Sequence, residues 1–391
     1  MSPSALIVVR PGADLAREFS EMMCGSIGRV FGLLCSVSVI TTAAAHADEA
    51  SNDRVIAEKS EIIAADPTNA VAYELRGEAY YLKHDWNRAF EDCSAAIRID
   101  PNFGRAYNCR GRAYSAKGDR DHAMADYNEA IRLDPGYGPS YTSRAQEYFN
   151  KRDFEGAIVG FTEAIERNPK QVYFATVMRG EAYAAKGDTD RAVADYNEAM
   201  RRNPAAAWPY ELRSTIHVGN GEIDAALDDC NSAVRLEPGK AGGHYCRAVI
   251  LLKKDDADGA IREFDEVTRM TPAFARAHLA RALAWHRKGD DKRALADCDE
   301  AVRLEPANSA AYNNRAALLR DMGEHTRALA DYNDAVRLDP KNQVALANRG
   351  LLYMMMSDPK HARADFNNVL ALPPNDKWAV DTAREGLGFL K

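Results

Sequence analysis

From residue 70 onward, small and large apolar residues return on a fixed schedule set by prolines. Pro67, Pro101, Pro135, Pro169, Pro204, Pro238, Pro272, Pro306, Pro340 and Pro374 stand 34 apart, except for one interval of 35 between Pro169 and Pro204. Ten residues after a proline comes a small residue: Gly77, Gly111, Ala145, Ser214, Ala248, Ala282, Ala316 or Gly350, with Gly180 in the longer interval. Three further on the residue is usually large, as in Tyr80, Tyr114, Tyr148, Tyr183, Trp285 and Tyr353. A second series opens on alanine (Ala89, Ala123, Ala157, Ala192, Ala226, Ala260, Ala294, Ala328, Ala362). Four later comes an aromatic residue or cysteine, and three after that Ala or Val. Steps of 3, 4 and 7 place such residues on one face of a helix. Each unit therefore predicts two amphipathic helices.

The punctuation agrees. Lys117-Gly118-Asp119, Lys186-Gly187-Asp188 and Lys288-Gly289-Asp290 fall between the two helices. Glycine takes the left-handed turn that ends a helix. Aspartate accepts from the free N–H groups that begin the next. The closing proline cannot donate and clashes with the preceding turn, so it stops the second helix.

A 34-residue helix–turn–helix unit with Tyr, small, Tyr, Ala, aromatic, Ala and Pro in this order resembles the tetratricopeptide repeat. The resemblance implies an all-α fold, a right-handed superhelical solenoid of about nine repeats with terminal capping helices. The repeats occupy 70–376. A half-repeat helix precedes them within 48–69, its pattern running from about 52 to 66, and a capping helix follows at 377–391.

One feature departs from the family. Nine residues after the proline, where the family carries a leucine-like residue, stand Arg76, Arg110, Arg144, Arg213, Arg247, Arg281, Arg315 and Arg349, with Arg179 as the shifted equivalent. Their apolar neighbours turn them toward the seam between helices, where an unpaired guanidinium is costly. The second helix offers Asp92, Asp126, Asp195, Asp229, Glu263, Asp297, Asp331 and Asp365, while the third unit has Gly160 instead. The pattern predicts a ladder of structural Arg–carboxylate pairs, with Arg144 lacking a local carboxylate and marking a weak joint. An anion-binding stripe is the alternative.

The resemblance also implies a groove lined by the first helices, which takes protein or peptide segments. Residues 4, 7, 11 and 14 after each proline should face it. Early units then offer Glu74, Glu78, Tyr81, Asn108, Arg112, Gln146 and Phe149. Later ones offer Tyr245, Leu252, Leu279, Leu283, His286, Asn313, Arg320, Leu351 and Met354, a more apolar set that reads as an exposed cluster. The Lys/Asn pattern with which some members clamp a C-terminal carboxylate is not reproduced, so that ligand is not carried over.

Charge and composition narrow the function. A net charge of −7 over 391 residues leaves no basic surplus for phosphates, which argues against nucleic acid as partner. Residues 1–47 read as a secretory leader: an apolar run from Val30 to Ile40 follows Arg29 and precedes the A-x-A site Ala45-His46-Ala47. Translation from Met22 or Met23 would shorten its polar start. The run is short for a membrane span, although an uncleaved anchor is the alternative. The expectation is a periplasmic or secreted protein with no stable span after cleavage.

Of the later cysteines, Cys93 and Cys109 repeat the spacing of Cys230 and Cys246, and Cys298 stands alone. The reading favoured is five buried thiols inherited by duplication, with two disulfides as the alternative. His244 and His278 replace a tyrosine that opens other units and are expected to pack between helices, not to bind metal. The sequence shows no glycine-rich phosphate loop, H-E-x-x-H or G-x-S-x-G. No catalytic residue, metal or cofactor is assigned. The sequence thus predicts a non-enzymatic scaffold or adaptor for protein partners, with an envelope chaperone for exported clients as the alternative. It identifies neither the partner nor the oligomeric state.

Overall fold

The computed structural model describes residues 42–167 and 172–390, so most of the expected leader lies outside it. Twenty helices and no strand occur among the described residues. The first, α1, is Thr42–Ala65. It begins well before the predicted start near residue 52, because the alanine-rich stretch ahead favours helix strongly.

Helix pairs follow in step with the prolines: α2 and α3 (Ala70–Leu82, Trp86–Ile99), α4 and α5 (Gly104–Ala116, Arg120–Leu133), α6 and α7 (Gly138–Asn150, Phe154–Arg167). Next come α8 and α9 (Val172–Ala185, Thr189–Arg202), then α10 and α11 (Trp208–Gly219, Ile223–Leu236). The chain divides into two compact units at Glu237 and Pro238. The second holds α12 and α13 (Ala241–Lys253, Ala257–Met270), α14 and α15 (Ala275–Arg287, Asp291–Leu304), α16 and α17 (Ser309–Asp321, His325–Leu338), α18 and α19 (Gln343–Met355, Pro359–Ala371), and α20 (Lys377–Phe389). Pairs stack in sequence within each unit.

The turns are built as their residues dictate. Gly118 and Gly187 take φ of 83° and 84°, and Asp119 and Asp188 then accept from the backbone N–H of His122 and Arg191. His84, Arg152, Asp255 and Ser357 hold the same left-handed turn, with φ between 59° and 63°, although they carry a Cβ.

Size alternation sets the packing. A Cβ on Gly111 would lie 2.7 Å from the ring of Tyr127, and one on Gly180 equally close to Tyr196. The third pair reverses the arrangement: Ala145 replaces the glycine, and a Cβ at Gly160 would meet that of Ala145 at 2.8 Å. Close approach of α6 and α7 thus explains why Gly160 stands where other units carry a carboxylate. At the C-terminal end the buried Phe366 ring sits between Gly350 and Gly386, whose Cβ atoms would come within 2.6 and 2.3 Å of it.

One expectation is corrected here. Cys93 on α3 and Cys109 on α4 are joined as a disulfide, with Cα atoms 5.9 Å apart, and are not two free thiols. The absence of a Cβ on Gly77, which would press on both sulfurs, makes the room. Cys298 is a buried free thiol, and burial raises its pKa.

Candidate partner-binding face

The arginines form the seam of each unit. Arg76, Arg110, Arg179, Arg213, Arg281, Arg315 and Arg349 each grip both oxygens of Asp92, Asp126, Asp195, Asp229, Asp297, Asp331 and Asp365 respectively. Nε and Nη2 donate over 2.6–2.9 Å, the two-pronged geometry that a planar guanidinium favours. Arg247 donates to Glu263 over 2.6 Å. Asp297 shows the balance: burial raises its pKa, but bonds from Arg281 and His278 outweigh that and hold it low.

A third contact was not foreseen. Nη1 reaches back to the preceding pair: Arg281 to Asp265 over 2.7 Å, Arg315 to Asp299 over 2.8 Å, Arg349 to Asn333 over 2.9 Å. Arg213 meets Asn197 in the same way. The signal was present as Asn or Asp two residues after the ladder acid, as in Asp195-Tyr196-Asn197. Each such arginine therefore ties two consecutive units together, and its nitrogens are turned inward to the array.

Arg144 needs correction. It does find a carboxylate, Glu163, at 2.7 Å, one turn beyond Gly160, and also Asn128 at 3.1 Å. Its Nε remains buried without a hydrogen bond, so this rung is incomplete. His244 and His278 bond the ladder acids Glu263 (2.7 Å) and Asp297 (3.2 Å) through Nδ1. Their Nε2 atoms lie 3.2 and 3.1 Å from the carbonyls of Pro238 and Pro272. Tyr107 and Tyr141 bond the corresponding carbonyls of Pro101 and Pro135, so imidazole substitutes for phenol.

The expected groove residues separate into two sets. Glu78, Tyr81, Arg112, Gln146, Phe149, His286, Leu351 and Met354 are half-buried. Glu74, Asn108, Tyr245, Leu252, Leu279, Leu283, Asn313 and Arg320 are buried, none above 5% exposed. For these the reading of an open surface is wrong. Successive first helices touch, α2 with α4, α4 with α6, α12 with α14 and α14 with α16, so one unit covers the next. The apolar residues Leu252, Leu279 and Leu283 belong to the interior, not to an exposed cluster. Asn313 is bonded between Asn314 and Asn348, and Arg320 donates to Asn348 and Asp321. His286 lies 2.7 Å from Asp291.

The inner face of α2, α4, α6 and α8 is polar. Arg112 pairs with Glu78, and its guanidinium lies 4.1 Å over the Tyr81 ring. Arg105 approaches Glu74 at 3.5 Å and also stands over Tyr137. Ser115 donates to the buried Glu147, which Arg120 approaches at 3.7 Å. Burial raises the pKa of Glu74 against the pull of Arg105, and burial alone pushes Glu181 up to about 7. Glu147, Glu181 and Arg105 were missed. Counting the extra residue of the longer interval would have placed Glu181 in register with Glu78 and Arg112. Glu147, one residue out of that register, left no such signal.

No characterised protein sequence matches the chain significantly. Sequence profiles described as tetratricopeptide repeat match residues 142–207, 177–241 and 245–311, and 104–137 and 309–342. Among solved structures, a tetratricopeptide repeat protein from Parabacteroides merdae is similar at 19% identity and TM-score 0.52, over 64% of this chain and 98% of that one. A chain of the APC/C hetero-tetramer Cut9–Hcn1 is similar at 13% identity and TM-score 0.53, over 95% of this chain and 89% of that one. IFIT1, as a monomeric mutant with Gppp-AAAA, is similar at 13% identity and TM-score 0.53, over 90% and 95%. The regular 34-residue period, the paired helices that follow it and the profiles that together span more than half of the sequence agree: this chain belongs to the tetratricopeptide repeat family.

Proposed function

We propose that the protein is a non-enzymatic scaffold that holds segments of other proteins against the inner face of its first helices. One observation carries this reading. The same residue types recur at the ladder, the turn and the packing positions of most units, whereas the inner-face positions differ from unit to unit. Among the positions 11 residues after the proline that are not buried, they run Glu78, Arg112, Gln146, Thr215 and Leu351. Packing demands repetition; a surface that recognises a particular partner does not. Extended contact of this kind suits binding through dispersed polar and apolar groups.

We further propose that it works outside the cytoplasm. The leader pattern of residues 1–47 supports this, and a Cys93–Cys109 disulfide is at home in an oxidising compartment. An uncleaved leader that anchors the chain is the alternative. No helix of the described residues is long and apolar enough to cross a membrane.

A photo-crosslinking residue at Gln146 or Phe149, compared with one at the exposed, outward Glu91, tests the scaffold in cells. A few discrete partners captured only from the inner face support an adaptor. Many unrelated clients would instead indicate a chaperone that holds exported proteins. Equal capture from both faces would show that the inner face is not the binding surface.

A further inference from the structure

We propose that the His244 ring is held as an imidazolium ion between two acceptors and ties α12 to α13, so that this hairpin is firm in mildly acidic surroundings and loosens above neutrality. Both ring nitrogens meet an oxygen that can only accept. Nδ1 lies 2.7 Å from Glu263 Oε2, and Nε2 lies 3.2 Å from the carbonyl of Pro238. A neutral imidazole carries one N–H and leaves one of these oxygens facing a lone pair, whereas the cation satisfies both. Placing the proton on the carboxyl instead would set it against Arg247, which donates to Glu263 Oε1 over 2.6 Å. Burial would raise the pKa of Glu263, but the bonds from His244 and Arg247 outweigh it and hold that carboxyl low.

This rung is built differently from its neighbours. Where Arg110, Arg179 and Arg281 grip both oxygens of an aspartate, Glu263 gives Oε1 to Arg247 and Oε2 to His244. Loss of the proton therefore costs one of two ties, the one to Glu263 on α13 or the one to Pro238 ahead of α12. The charged groups around the ring are Glu263 from α13 and Arg247 from α12, while α14 turns Arg276 toward the adjacent Tyr245. The Glu263 bond raises the pKa of the ring above 6.5; burial and Arg247 oppose the rise, and the Pro238 carbonyl adds to it. Stability from this ring is thus fully present below 6.5, the ordinary value that the unfolded chain restores, and is lost as pH rises through the higher folded value. Tyr107 and Tyr141 hold the same position and bond Pro101 and Pro135 through a phenol, a group that does not ionise near neutrality. His278 shares the placement, but Asp297 keeps both prongs of Arg281, so that rung does not depend on its histidine.

The test combines 15N NMR of the imidazole groups with hydrogen exchange read by mass spectrometry, on the full chain from about pH 5.5 to about pH 8.5. The His244 signal is the one missing from His244→Tyr, and His244→Gln gives the same assignment should the tyrosine variant fail to fold. In the wild type this ring should lose its proton with a midpoint above 6.5, and below that midpoint both nitrogens should carry one. Protection of the α12 and α13 amides, corrected for the intrinsic exchange rate, should fall severalfold as the pH rises. The fall should persist in His278→Tyr and shrink in the His244 variants. A midpoint at or below 6.5, or an undiminished fall once His244 is replaced, overturns the proposal. So does a loss of the pH response confined to His278→Tyr.

Discussion

Glu181→Gln tests the isolation of the Glu181 carboxyl directly. The carboxyl is buried without a partner, and burial lifts its pKa from 4.5 to about 7. In the unfolded chain it ionises near 4.5, so between those values the folded chain binds a proton that the unfolded chain has lost. Stability contributed by this group therefore falls as pH rises through that window and levels off above 7. The difference between 4.5 and about 7 corresponds to about 3 kcal/mol. Glutamine does not titrate. Its own burial changes the absolute stability, but that change is independent of pH. The stability of the variant minus that of the wild type should grow by about 3 kcal/mol between pH 4 and pH 8. Urea unfolding followed by tryptophan fluorescence reports on this region, since Trp208 packs on the cluster that contains Met178 and Ala182. Parallel curves for the two proteins across that range would show that Glu181 is solvated or paired, and this reasoning would fall.

Other outcomes follow from the packing. Asp126→Ala leaves Arg110 half-buried without its forked partner and should cost about 3 kcal/mol in a denaturant melt; a harmless substitution would make the ladder ornamental. Gly386→Ala ordinarily favours a helix, but here the new methyl meets the Phe366 ring, so overpacking should cost roughly 1–3 kcal/mol. Adding Phe366→Leu should restore much of that, and absence of rescue would place the strain elsewhere. Ser357 sits at φ 61°, so Ser357→Gly should raise stability by up to about 1 kcal/mol; a loss would show that the turn is not strained. Peptide mapping without reduction should recover Cys93 linked to Cys109, and two free thiols there would remove the cross-link.

The repeating elements were legible because each depends on residues close in sequence. Helix, turn and stop are set by steps of 3, 4 and 7, by Gly118-Asp119 and its equivalents, and by the closing prolines. The ladder was legible for the same reason: Arg110 and Asp126 are 16 residues apart across one hairpin, and a repeated hairpin repeats the pairing. What the sequence did not reveal depends on how neighbouring units approach one another. Leu279 and Leu283 have the spacing of groove residues, yet the adjacent first helices bury them. Arg144 finds Glu163 because α6 and α7 meet at Gly160, a contact that no period announces. Glu181 shares its register with Glu78 and Arg112, but only the packing around α8 buries its carboxyl and leaves its Oε2 without a hydrogen bond. Periodicity determines which face of a helix a residue occupies. The distance to the next helix, which follows from every contact between the two units, decides whether that face meets water, a partner or the core.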